Sequence, residues 1–201
     1  MSDTVDIYIG FSRSRRGINR LFSNTVMWGE TLEHFLLTGK WYNQPYSHVY
    51  VRWKSVETNV EVVYEASGMN LHFTNISTFK YKSVSTHEYK FTVTKAQYYK
   101  MLQFCMENAG VDYGYKQLVG IAWVKLNRVF RREISNPYGD NRKSQVCSEV
   151  TGYILEDTME LDVPVNLDVA GPRDIDDFLR EINNEVSISD CVSFFTELQE
   201  G

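Results

Sequence analysis

The chain has 201 residues, of which 43% are hydrophobic and 23% charged, with a net charge of −5. That balance describes one globular domain with enough length to bury a real core, not a disordered or fibrous chain. The acidic excess gives no electrostatic case for nucleic acid or an anionic membrane, and no run approaches the roughly 18 apolar residues of a membrane-spanning helix.

The opening "MSDTVDIYIGF" lacks the basic start and apolar centre of a secretory signal, so a cytoplasmic location is expected. Residues 5–11 predict a first strand, and the basic, polar "SRSRRGINR" (12–20) predicts a loop. "TLEHFLLTG" (31–39) predicts a short helix with Thr31 as N-cap and Gly39 as stop. After the breaker-rich "YNQPYS", the segments "HVYVRW" and "VEVVYEA" predict two paired strands. Residues 70–84 are less regular, with room for one more strand, and "HEYKFTV" (87–93) is a clearer one.

"TKAQYYKMLQFCMENAG" (94–110) carries the strongest helical pattern: Thr94 caps it, Tyr98, Met101, Leu102, Cys105 and Ala109 form an apolar stripe, and Gly110 ends it. "YKQLVGIAWVKLNRVF" predicts a second amphipathic helix, "ISNPYGDNRKSQ" (134–145) a loop, and 146–156 a helix with a cysteine at its start. "DIDDFLREI" predicts a last helix, followed by an acidic tail. Strands first and helices after predict an α+β fold, as a single domain over 1–182 with a tail over 183–201.

Sidedness in the hairpin draws attention to His48. Val49, Val51 and Trp53 share one face of the first strand, and Val60, Val62 and Tyr64 share one face of the second. Matching like faces with Trp53 opposite Val60 sets Arg52 beside Glu61, Tyr50 beside Val63 and His48 beside Glu65. A carboxylate behind an imidazole fixes its tautomer and stabilises its protonated form, the base-and-orienter half of a catalytic triad. The plainer alternative is a His–Glu pair on a half-solvated sheet, and only a nucleophile elsewhere separates the two.

Three cysteines, Cys105, Cys147 and Cys191, are too few and odd in number for a disulfide framework, and no Cys/His spacing suggests zinc. Cys105 sits mid-helix on an apolar stripe, the ordinary place for a buried thiol. Cys191 lies in the tail. Cys147 opens a predicted helix after a polar loop with Arg142 and Lys143, a setting that lowers a thiol pKa and presents backbone N–H groups to an oxyanion. The alternative for Cys147 is a core cysteine on a C-terminal helix. Among the other histidines, His72 is a possible second polar partner for the thiol site, while His34 and His87 have no evident partner.

The order "YSHVYVRW … VVYEA … QVCSEV" puts the histidine hairpin before the nucleophile helix. With "DIYIGF", "VDYGYKQL" and "GPRDI", it resembles the circularly permuted branch of the NlpC-type papain-like superfamily, similar to the YiiX-like proteins and more distantly to lecithin:retinol acyltransferase-like proteins. The resemblance spans roughly residues 5–180 and implies a permuted papain-like fold, an antiparallel sheet packed against helices, with Cys147 as nucleophile, His48 as base and Glu65 as the polar third member. It places Tyr113 and Tyr115 beside the site. An insert at about 12–44, with arginines at 13, 15 and 16, departs from that pattern. The expected activity is a cofactor-free, metal-free cysteine hydrolase, a peptidase or amidase type acting on a peptide, amide or ester, with the Cys147 N–H and Gln145 holding the oxyanion. The alternatives are an acyltransferase using the same thiol, a non-catalytic binding protein on the same fold, and an assembly protein contacting its partner through the arginine loop.

Overall fold

Val5, Ile7, Ile9 and Phe11 are buried at a period of two along the first strand, which is what makes that segment extended and one-sided. The computed structural model describes residues 3–15, 17–132, 134–139 and 143–183. The strands are β1 (Thr4–Ser14), β2 (His48–Lys54), β3 (Glu61–Ser67), β4 (Asn70–Asn75), β5 (Ser83–Thr94), β6 (Asp112–Tyr113) and β7 (Ser144–Gln145). They form one seven-stranded sheet in the order β5-β1-β2-β3-β4-β6-β7. The helices are α1 (Gly17–Thr38), α2 (Ile76–Lys82), α3 (Lys95–Glu107), α4 (Tyr115–Val129), α5 (Cys147–Tyr153) and α6 (172–183). A π turn, Ile154–Thr158, prolongs α5, and a 3₁₀ turn, Leu167–Val169, precedes α6.

The fold is α+β, as expected, but the sheet is mixed rather than antiparallel. Every neighbouring pair runs antiparallel except β6 and β7, which are parallel. The reason lies in the connection: α4 stands between β6 and β7 in sequence, and a helical crossover lets the chain re-enter the sheet in the same direction.

One face of the sheet buries Phe11, Val51, Trp53 and Tyr64 against Tyr98 and Met101 of α3, Val150 of α5, and Ile175 and Leu179 of α6. Each such side chain contributes at most about 1.5–3 kcal/mol of burial. A smaller cluster, Tyr50, Val63 and Phe79, forms separately where α2 packs, with the Tyr50 and Phe79 rings 4.4 Å apart. Tyr50 also explains Gly10, its cross-strand neighbour: a Cβ on Gly10 would lie 2.3 Å from the Tyr50 ring.

Thr94 caps α3 as expected, in a reciprocal capping box with Gln97. Gly39 takes a φ of +71° and its N–H bonds to the Phe35 carbonyl at 2.8 Å, ending α1 as expected. Three expectations need correction. Residues 12–20 are not a loop, since β1 runs to Ser14 and α1 begins at Gly17. Thr31 does not cap a helix; it lies inside α1, donating to the Met27 carbonyl at 2.8 Å and accepting from the Gln44 N–H at 3.1 Å. Residues 76–82 form α2, capped by the Asn75 side chain, which accepts from Thr78 N–H at 2.8 Å. The expected tail beyond 183, with Cys191, and the arginines at 16 and 142 lie outside the described residues.

The hairpin register is also corrected. Trp53 faces Val62, not Val60, and Arg52 faces Val63. The shift is by two residues, so the same faces still match and the apolar side stays in the core. A larger apolar overlap wins, because Val51 now stands opposite the buried Tyr64.

Candidate functional site

Three elements bring the predicted residues together: His48 is the first residue of β2, Glu65 lies within β3, and Cys147 is the first residue of α5. His48 Nε2 lies 2.8 Å from Glu65 Oε2, with the imidazole side chain 15% exposed and the carboxylate 7%. Since Nε2 is taken by Glu65, Nδ1 is the ring nitrogen left for the thiol. His72 stands directly opposite Glu65 on β4, with its Nε2 3.7 Å from Glu65 Oε1. It therefore supports the carboxylate and is not a partner of the thiol.

Burial alone would raise the Cys147 pKa. The charge of the His48 ring, a side-chain hydrogen bond to it, and the backbone N–H groups of Val49 and Ser148 outweigh that and hold the thiol below its ordinary value. Burial would likewise lower the His48 pKa, but the Cys147 charge and hydrogen bond, followed by the bond and charge of Glu65, raise it to about 10. For Glu65, burial pushes up, while the hydrogen bond and charge of His48 and the charge of His72 pull it below the usual carboxylate range. These directions agree with one another: they favour a thiolate–imidazolium pair backed by a carboxylate.

Local structure around Cys147 is tight. Residues 147–152 are all buried, Ser148 Oγ donates to the Ala170 carbonyl at 2.6 Å, and Val146 N–H bonds to Glu149 Oε2 at 3.4 Å. Gln145 is fully buried, and among the described residues neither its side-chain carbonyl nor its amide nitrogen has a hydrogen-bond partner. Its backbone carbonyl accepts from Gly114 N–H at 2.9 Å, tying β7 to the start of α4. Tyr113 feels the charges of Cys147, Tyr115 and Glu65, which add to burial in raising its pKa well above the ordinary value, so its hydroxyl stays protonated. Tyr115 stacks edge-on with Tyr113 at 4.8 Å and donates to the Gly68 carbonyl. Cys105 is buried in the core, and burial pushes its thiol pKa up, opposite to Cys147.

Sequence reasoning missed the largest feature of the region. A cavity of about 560 Å³ lies between α1 and α4 and reaches Cys147, Ser148, Ser47, Tyr113 and Tyr115. The charged side chains of its wall, Lys125, Glu30 and Glu33, face one another: Lys125 Nζ lies 3.0 Å from Glu30 Oε1, 2.8 Å from Glu33 Oε2 and 3.2 Å from Asp174 Oδ2. Burial, added to by the charges of Asp174 and Glu33 and opposed by that of Lys125, raises the Glu30 pKa. A signal for the cavity exists in the apolar positions of both helices, but the helix that the sequence predicts from Thr31 covers only the second half of α1 and of its apolar face.

His87, for which the sequence offered no partner, bonds through Nε2 to the buried Asp176 at 2.7 Å. Asp176 also accepts from Tyr46 at 2.5 Å, Tyr89 at 2.7 Å and Arg180 at 2.8 Å, which fastens α6 to the sheet. His34 bonds only locally, with Thr38 Oγ1 at 3.2 Å. Among the described residues, no group of three or more His, Cys, Asp and Glu is placed to hold a metal ion, and no helix is long and apolar enough to cross a membrane. Compared with protein-family models, curated proteins and solved structures, the chain matches none.

Proposed function

We propose that the protein is a cysteine-dependent hydrolase of an amide or ester, working through Cys147, His48 and Glu65. The observation that carries this reading is the meeting of three residues, distant in sequence, in one charge-coupled set, with the thiol pKa lowered and the imidazole pKa raised. A buried core cysteine shows the opposite direction, as Cys105 does. The order His48, Glu65, Cys147 also supports the resemblance to the circularly permuted NlpC-type branch.

In this mechanism, His48 holds the proton lost by Cys147, and Glu65 keeps the ring oriented and charged. The sulfur forms a bond to the substrate carbonyl carbon, and the oxygen takes the negative charge. The Cys147 backbone N–H and the unpaired amide of Gln145 are the donors proposed for that oxygen. As the carbon–leaving-group bond breaks, His48 passes its proton to the departing atom. Water, deprotonated by His48, then attacks the thioester, releasing the acid and restoring the thiolate.

A transferase reading has one observation in its favour: the cavity at Cys147 is strongly apolar, so an amine or alcohol arriving with the acyl donor can compete with water for the thioester. The test is labelling with a thiol-reactive probe at about pH 6. Cys147 is expected to react before Cys105 and Cys191, and His48→Ala is expected to abolish the difference. Equal labelling in the unmodified protein would overturn the reading.

A further inference from the structure

We infer that the free edge of β5 is a pairing surface for a second copy of this chain. Two copies join there antiparallel, about a two-fold axis at Tyr89, so that their sheets become one. The surface is separate from the thiol site, since His48 lies on β2, two strands in from this edge.

β5 ends the sheet, with β1 on one side and, among the described residues, no strand on the other. An unpaired edge presents a row of backbone N–H and C=O groups that a further strand can bond. The two ends of the sheet differ. β7 has two residues, too few to offer such a row, whereas β5 has 12 and no proline. Its one register shift lies between the pairs Phe11–His87 and Ser12–Ser85, so the strand is regular from His87 to Thr94.

Symmetry limits how two copies of β5 can meet. Residues that stand opposite in an antiparallel pair point to the same face, and faces alternate along a strand. The two-fold axis must therefore pass through a residue that pairs with its own copy. β5 carries one carboxylate and one ammonium group, Glu88 and Lys90. An axis at Glu88 sets two carboxylates face to face, and an axis at Lys90 sets two ammonium groups face to face. An axis at Tyr89 sets each Glu88 opposite Lys90 of the second copy. Like charges directly opposite destabilise a sheet, and opposite charges stabilise it. This register also overlaps residues 84–94 of each copy, nearly the whole strand.

Both charges are held ready on the outer face. Arg52 Nη2 lies 2.6 Å from Glu88 Oε2, and Lys90 Nζ lies 2.8 Å from Asp6 Oδ2. Pairing at Tyr89 extends these contacts into a row of alternating sign: Arg52, Glu88, then Lys90 and Asp6 of the second copy. On the inner face the same register sets Tyr89 beside its own copy and His87 beside Phe91. Tyr89 and Phe91 are half-buried at the margin of the core, so pairing covers apolar surface that the single chain leaves open.

The test is sedimentation equilibrium of the full chain, for which a dimer of the 23.4 kDa protein is expected. Glu88→Lys sets lysine opposite lysine twice across the axis, and Lys90→Glu sets glutamate opposite glutamate twice. Each variant alone is expected to dimerise about tenfold more weakly. Mixed in equal amounts, the two variants bring opposite charges together at both places, and the dimer is expected to return. Mixing does not repair a folding defect, and thermal melts confirm that each variant is folded. A full chain still monomeric at about 100 μM, a concentration that fills even a micromolar interface, would overturn the proposal. So would a dimer that neither substitution weakens, or a loss in the single variants that mixing leaves unrestored.

Discussion

His48 and Glu65 meet at 2.8 Å although they are not cross-strand partners. In the β2–β3 register Val51 faces Tyr64, so Glu65 stands two places off the pairing expected from apolar matching and reaches His48 along a diagonal. Arg52 does the same, bonding Glu61 at 3.0 Å while facing Val63. Diagonal neighbours two residues off are within reach of long side chains, so a shift of two left both contacts intact. The site therefore depends on the face of each strand more than on its register.

His48→Ala is expected to lower turnover of any substrate identified by about 10²–10⁴-fold, the usual contribution of a positioned base. Glu65→Gln keeps the shape but removes the charge that helps hold His48 protonated. The pH midpoint for thiol labelling at Cys147 is expected to move upward in Glu65→Gln. An unchanged midpoint would remove Glu65 from the mechanism.

The pH dependence of stability should expose the ion pair. His48, with its pKa raised to about 10, contributes stability that is full below its unfolded value of about 6.5 and lost as pH rises through about 10. Cys147, with a lowered pKa, contributes stability that is full above its unfolded value of about 8.5 and lost as pH falls through the folded one. Between about pH 6.5 and 8.5 the two slopes oppose each other. Tm is therefore expected to vary little with pH over this range and to fall as pH rises from about 8.5 towards about 10, as read by thermal melts in a buffer series.

Lys125 ties α4 to α1 and to α6 through three carboxylates. Lys125→Met would strand Glu30 and Glu33 in the cavity wall, and breaking a buried pair in this way costs about 3–5 kcal/mol. Urea unfolding should show that loss. Adding Glu30→Gln and Glu33→Gln should recover part of it, which a purely packing role for Lys125 would not allow.

Gly10→Ala is expected to destabilise by about 1–3 kcal/mol, because the new methyl would stand 2.3 Å from the Tyr50 ring. Tyr50→Leu alone loses a buried ring, but combined with Gly10→Ala it makes room for the methyl. A double-mutant cycle should therefore give a coupling energy of opposite sign to the Gly10→Ala loss.

Local chemistry in the sequence was enough for the elements whose signals lie within a few residues. Thr94 with Gln97 marked the start of α3, Gly39 the end of α1, and the alternation of Val5, Ile7 and Ile9 the first strand. The segment 76–82 was harder, since Asn75 caps a single short helix whose one buried residue is Phe79, too little for a period to show. The start of α1 was obscured because its apolar residues line a cavity rather than a continuous core, and Gly29 interrupts the pattern.

By itself the sequence determined which residue types could do chemistry and which face of β2 and β3 each would occupy, because side-chain direction along a strand follows from counting. Only the tertiary structure decided that His87 meets Asp176, that His72 backs Glu65 rather than the thiol, and that α1 and α4 stand apart far enough to leave a cavity that reaches Cys147. Those outcomes depend on how whole elements pack across long stretches of chain. Packing is set by the sum of many side-chain volumes, which no local pattern of residues records.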